Sequence, residues 1–330
     1  MTPSVRSRLW GSGVSFGFGF AMANYGLLMI PRPDEWIWLG GAAALMLTGA
    51  LGVLFADSGS RFSVWAILGL QSLIAFTLIP FAWMVSIALT PADARPRSLW
   101  PLSPTMDNVS AVLGSTAIRH AALNSLIVAG ASTLIAVVLA VFAAFVIVHS
   151  SFRGRRMVYG LILGALLTPL VVLAGPMADQ ALAFGLYDTK RSLTVCYLAL
   201  TLPLALWLLV SLFSRIPWSL RDAARADGAS WFRRFRWVYL PIVGPGLFVV
   251  TLIVFVVACN DLVLGLALGT TNTSLPVPAT LASFGGEFGN EFGNITAATA
   301  AAGLLWFLPV LLFVLVFQRR IVRLLGRPNR

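Results

Sequence analysis

Apolar residues gather along this chain into long runs separated by short polar segments. Eight runs, at about 12–30, 36–55, 64–89, 123–148, 157–176, 192–213, 242–264 and 297–318, reach or approach the roughly 20 residues a helix needs to cross hydrocarbon. Period-2 alternation, expected of a membrane barrel, is absent. The pattern predicts an all-α polytopic membrane protein of about eight spans.

Composition supports this class. Of 330 residues 58% are hydrophobic and 11% charged, and the mean hydropathy is +0.88. A soluble domain of this size needs more polar surface. The net charge of +11 would suggest nucleic acid in a soluble chain. Here the basic residues sit between spans, so no nucleic-acid partner is expected. With the N-terminus placed in the cytoplasm, 17 basic residues fall on cytoplasmic segments and six outside. That bias puts both termini on the cytoplasmic side, and the use of arginine for every basic residue but Lys190 points to a bacterial genome, so a bacterial inner membrane is expected. Arg6, Arg8 and Ala21-Met22-Ala23 resemble a signal peptide and its cleavage site, but apolar character continues through Leu27, Leu28, Met29 and Ile30. Retention of the first span is therefore expected. Cleavage would leave seven spans.

The longest cytoplasmic segment, about 214–241, has legible local physics. Ser219 is placed to cap a short alanine-rich helix over Leu220–Asp227, with Asp222 three positions on, near the positive end of the helix dipole. Gly228 stands where a left-handed C-terminal residue is wanted, and Ser230 can cap a second helix running to Leu240, before Pro241. The result is a rigid elbow. Ala223 and Ala224 would let another surface approach closely, while the arginines and Trp231 would anchor it. Two partners fit: a docking protein, or anionic lipid beneath a basic loop.

Asp222-Ala223-Ala224, Gly228 and Val238-Tyr239-Leu240-Pro241 resemble, in residue type and spacing, the EAA loop of ABC importer permeases, with Asp for Glu and Val for Ile. The likeness extends over about 63–320. Asn124-Ser125 is similar to the start of the family's core domain, Asn260-Asp261 to an Asn-acidic pair of sugar-importer permeases, and Ser274-Leu275-Pro276-Val277 to the second permease of maltose-type systems. The resemblance implies a six-helix type I permease core at 63–320, with 214–241 as coupling loop. It leaves an N-terminal extension at 1–62 with two extra spans, and a basic tail at 321–330.

It also implies partners: a second permease subunit, two copies of an ABC ATPase, an extracytoplasmic solute-binding protein and membrane lipid. Asp222, Ala223, Ala224, Gly228, Leu240 and Pro241 would then couple the chain to the ATPase without catalysing anything. No cofactor is expected on this chain. Its only lysine, Lys190, follows no glycine-rich turn, so ATP and Mg belong to the partner ATPase. The solute is expected to be a sugar or sugar-like compound, with glycerol phosphate derivatives as the alternative.

Asn260 and Asp261 keep two readings. Asp261 lies about 12 Å from the middle of its span, at the helical rise per residue. A carboxylate there belongs either to the substrate pathway or to an interfacial structural pair. Pro80, Pro169, Pro203, Pro245 and Pro309 are expected to kink spans. His120 and His149 lack partners at metal-ligand spacing, and Cys196 and Cys259 read as small core residues. Two other classes compete. A self-contained secondary transporter would favour mid-membrane carboxylates, and a membrane-embedded enzyme would need a catalytic constellation; neither is visible in the spans.

Overall fold

A computed structural model describes residues 77–91, 103–283 and 295–325. The first two expected spans, the tandem Glu-Phe-Gly-Asn repeat at 287–294 and the last five residues lie outside them. Every regular element among the described residues is helical. These residues fall into two compact units, 77–91, 103–114 and 295–304 in one, 115–283 and 305–325 in the other.

In the first unit, α1 (Thr77–Ala88) and α2 (Asp107–Gly114) are joined by one buried side chain. The Asn108 amide donates to the Ala88 and Thr90 carbonyls at 2.9 and 2.8 Å, satisfying the end of α1.

The second unit holds the long helices. Helix α3 (Thr116–His149) starts at the Ser115 cap, and α6 (Lys190–Ser214) starts at Thr189, whose hydroxyl accepts from the Ser192 N–H at 3.2 Å. These two helices make the most intimate pair in the fold. Alanines supply the closeness. Ala136, Ala140 and Ala144 on α3 and Ala205 on α6 are fully buried, and small side chains let helix backbones approach.

The expected fifth span is not one straight helix. It is α4 (Arg155–Leu167) and α5 (Leu170–Ala183), bent by 90°. Thr168 and Pro169 are both extended, with ψ of 120° and 123°. Proline disfavours the helical region for the residue before it and has no N–H to carry the ladder on. Pro203 and Pro245, by contrast, sit inside helices that continue past them, as do Pro80 and Pro309.

Helix α7 (Trp218–Ala226) is short, and α8 runs from Trp231 to Cys259. Helices α9 (Val263–Leu268) and α10 (Val277–Ala282) follow, then α11 (Ile295–Leu325). Gly246 is where α8 meets α6. A methyl group there would come within 2.6 Å of Leu212 Cδ1, so any larger residue requires the Leu212 side chain to shift. Among the described residues three helices (α3, α6 and α8) are long and apolar enough to cross a membrane, or four spans if the bent pair counts as one.

The second unit has two buried cores. One joins the C-terminal half of α3, the C-terminal half of α6 and the N-terminal half of α8, around Phe145, Leu209, Phe213, Tyr239 and Val243. The other joins Val128, Ala174, Leu193, Tyr197, Cys259 and Leu264 from α3, α5, α6, α8 and α9. They lie on opposite halves of α3.

Candidate functional site: the elbow and its root

The elbow forms, with two departures from expectation. Helix α7 begins at Trp218, so Ser219 lies in its first turn and is not the cap. Pro217 provides the entry, its carbonyl accepting from the Leu220 N–H at 3.2 Å. At the far end Gly228 adopts φ +69°. The Ala229 N–H donates to the Ala224 carbonyl at 3.1 Å, the six-residue closure of a Schellman turn. Ser230 then caps α8, its hydroxyl accepting from the Arg233 N–H at 3.4 Å.

The second departure is in the arm beyond the turn. It does not end near Leu240 but continues unbroken into the membrane helix, through a π turn at Phe235–Tyr239. The Leu240 N–H donates to the Phe235 carbonyl, five residues back. Pro241 follows, and its ring would crowd the carbonyl four residues earlier in a regular helix. The widened turn accommodates a proline that would otherwise kink or end the helix.

This geometry sorts the aromatic-basic stretch into two faces. Trp231, Phe235 and Tyr239 recur every four residues and all meet Phe145 of α3; Phe235 and Tyr239 are buried, whereas Trp231 remains 42% exposed. Phe145 is 2% exposed, and its ring centroid lies 5.0, 5.1 and 5.1 Å from those of Trp231, Phe235 and Tyr239. His149 at 5.3 Å and Phe213 of α6 at 6.1 Å complete the cluster. Trp231, expected as an anchor for another surface, also packs edge-on against Phe145 within this chain while part of its ring stays exposed. Phe232 and Trp237 face outward, and the Arg236 guanidinium lies 5.9 Å over the Trp237 ring. Such aromatic-basic pairs suit a membrane interface.

The residues matching the EAA pattern divide likewise. Asp222, Ala223 and Gly228 are exposed on the elbow, and Ala224 is buried beneath it. Pro241 is exposed on α8, while Leu240 packs against the Phe145 core. The elbow therefore presents Asp222 and Ala223 on its exposed side, carried on a lever whose root is the Phe145 cluster.

Asn260 and Asp261 lie at the other end of α8 and do not join the elbow. Asn260 is exposed, and its amide bonds back to the Val256 carbonyl at 2.7 Å. Asp261 is 8% exposed, with its Oδ2 accepting from the Leu264 and Gly265 N–H groups at 3.0 and 3.4 Å. It caps α9, beside Tyr197. Of the two readings open in the sequence, this geometry supports structural pairing.

One carboxylate escaped the sequence reading. Asp188, in the turn before α6, has φ +58° and accepts four hydrogen bonds from residues 270–274. Burial pushes its carboxyl up, but these donors outweigh it and lower the pKa to about 2. Asn124 and Ser125 serve the same segment. The Asn124 amide donates to the Asn272 and Leu275 carbonyls at 2.9 and 3.0 Å, and the Ser125 hydroxyl accepts from the Val277 N–H at 2.8 Å.

Comparison with known proteins follows the same lines. The profile of the family described as binding-protein-dependent transport system inner membrane component matches residues 136–327, which include the elbow, its root and α8. The chain is 35% identical to the trehalose transport system permease protein SugB of Mycobacterium tuberculosis, over 79% of this chain and 95% of that one. It is 31% identical to the trehalose/maltose transport system permease protein MalG of Thermococcus litoralis, over 78% and 92%. With the diacetylchitobiose uptake system permease protein NgcG of Streptomyces coelicolor it shares 30%, over 81% and 88%. A chain from the crystal structure of a bacterial ABC transporter involved in importing the acidic polysaccharide alginate has the same fold, with a TM-score of 0.63 at 18% identity, over 80% of this chain and 97% of that one. The chain belongs to the binding-protein-dependent transport system inner membrane components, as a multi-pass permease subunit.

Proposed function

We propose that this chain forms half of the solute pathway in an ATP-driven importer of a sugar or sugar-like compound. Its elbow would take up force from a cytoplasmic ATPase. The observation that carries this reading is the elbow itself: an exposed Asp222-Ala223 face, closed by a left-handed Gly228 and rooted on α3 through Phe145. A surface so built can be pushed as a unit. Displacement at α7 reaches α3 and α6 through packed rings rather than through a flexible linker.

Asp222, Ala223, Ala224, Gly228, Leu240 and Pro241 are the coupling residues in this account. The carbohydrate assignment rests on the relatives, whose names specify trehalose, maltose and diacetylchitobiose. The partners are a second permease, two copies of an ABC ATPase that bind ATP and Mg, and an extracytoplasmic solute-binding protein. Arg236 and Trp237 would lie at the lipid headgroups. Both termini are cytoplasmic. The architecture is a six-helix core at 63–320, preceded by two extra spans within 1–62 and followed by the tail 321–330.

Purification of the tagged chain from its native host in mild detergent tests this. Wild type should bring down an ATPase and a second permease, and Gly228→Pro should lose the ATPase alone. A chain that elutes without either partner contradicts the proposal.

A further inference from the structure

The carboxylate of Asp188 is spent on a loop more than 80 residues away in sequence. Its Oδ1 accepts from the Thr270 and Thr271 N–H groups at 2.8 and 3.1 Å and from the Ser274 hydroxyl. Its Oδ2 accepts from the Thr271 hydroxyl at 2.6 Å, and the Asp188 N–H donates to the Leu268 carbonyl at 3.1 Å. From the other side Asn124 holds the Asn272 and Leu275 carbonyls. A segment with no helix or strand of its own is thus pinned at both ends and in the middle. Ser274 and Leu275 are buried, whereas Thr270, Thr271, Asn272 and Thr273 form an exposed tip.

The position of this tip is set by α3. Asn124, which holds the loop, and Phe145, which roots the elbow, are 21 residues apart on one helix. At the helical rise this is about 30 Å, the thickness of the hydrocarbon layer. If the elbow meets the cytoplasm, the loop stands at the opposite membrane face. Its tip presents hydroxyls and an amide without charge, and the carboxylate of Asp188 is turned inward onto the loop's own donors. A pre-ordered polar loop spares the ordering cost of binding a protein surface.

We infer that Asp188 is a positioning residue that holds residues 270–273 as a rigid lip on the outer face, and that the solute-loaded binding protein seats on this lip. The inference rests on the importer reading above. Asp188→Asn is a clean probe. Asparagine also tolerates the left-handed backbone of residue 188, so the substitution spares the turn. It takes the charge from the three bonds accepted at Oδ1 and sets an NH₂ opposite the Thr271 hydroxyl, which must turn to accept it.

The test uses the full reconstituted importer with its binding protein. ATPase rate is measured against binding-protein concentration, and hydrogen exchange is followed in peptides spanning 268–276. Asp188→Asn should speed exchange in those peptides. It should also raise the half-maximal concentration about five- to tenfold, the loss expected when charge-assisted hydrogen bonds that pre-order the loop become neutral ones. The basal and maximal rates should stay within about twofold. Asn272→Ala removes an exposed side chain and leaves its carbonyl for Asn124. It should raise the half-maximal concentration without changing exchange. Faster exchange in Asp188→Asn with an unchanged concentration dependence overturns the docking role, and unchanged exchange overturns the clasp. A wild-type complex that no binding protein stimulates overturns the importer reading itself, and this inference with it.

Discussion

Gly228→Ala isolates the backbone of the elbow from everything around it. Gly228 has φ +69°, and a methyl group built there meets nothing within 4 Å. The cost within this chain is therefore conformational alone, roughly 1–2 kcal/mol for an alanine in the left-handed region. That lowers the population of the closed turn about five- to thirtyfold relative to its opened forms. Asparagine pays less than alanine there, and a β-branched valine pays more. The account thus predicts a graded series, Gly above Asn above Ala above Val, in the amount of ATPase retained per permease at limiting ATPase concentration. ATP-driven uptake should follow the same order. Equal retention by Gly and Ala would refute the claim that the left-handed turn sets the elbow. If Asn proves worse than Ala, side-chain size against a partner surface decides, and the conformational argument fails.

Other perturbations follow from the same geometry. Phe145→Ala removes the ring that meets Trp231, Phe235 and Tyr239, and should cost about 3–5 kcal/mol, with a lower melting temperature in detergent and uptake lost; Phe145→Leu, which keeps part of the volume, should fall between. Asp261→Asn and Asp261→Ser can still cap α9 and should leave uptake near wild type, whereas Asp261→Ala should cost about 0.5–2 kcal/mol and lower the yield of folded protein. Uptake abolished in Asp261→Asn at normal yield would place that carboxylate in the solute pathway instead. Asp188 has a pKa lowered from 3.8 to about 2, so its contribution is present above the unfolded value and is lost as pH falls through about 2. Pepsin at about pH 4 should accordingly leave the 269–275 loop of wild type uncut and cleave it in Asp188→Asn.

What could be seen in the sequence was what short-range rules govern. Gly228 and Ser230 stand at positions where helix ends demand their residue types, and both take the predicted roles. The long apolar runs of α3, α6 and α8 announce themselves by length. Ser219 misled because Pro217 can start a helix two residues earlier, through its carbonyl. Pro169 and Pro203 look alike as prolines in apolar runs, yet one breaks its helix and the other does not. The difference lies in whether packing holds the helix together, as it does for α6 against α3. Phe145 was one aromatic among many until α8 folded onto α3. Asp188 was illegible because its donors lie 82 to 86 residues away, where no periodicity reports them.

The central claim is that this chain moves solute only as part of an ATP-driven assembly. The most direct measurement reconstitutes it in liposomes with its second permease, ATPase and binding protein, and follows uptake of labelled di- and oligosaccharides with and without ATP. The account predicts uptake that requires ATP, binding protein and an intact Gly228. Uptake by this chain alone, without ATP, would contradict it and make the protein a self-contained secondary transporter.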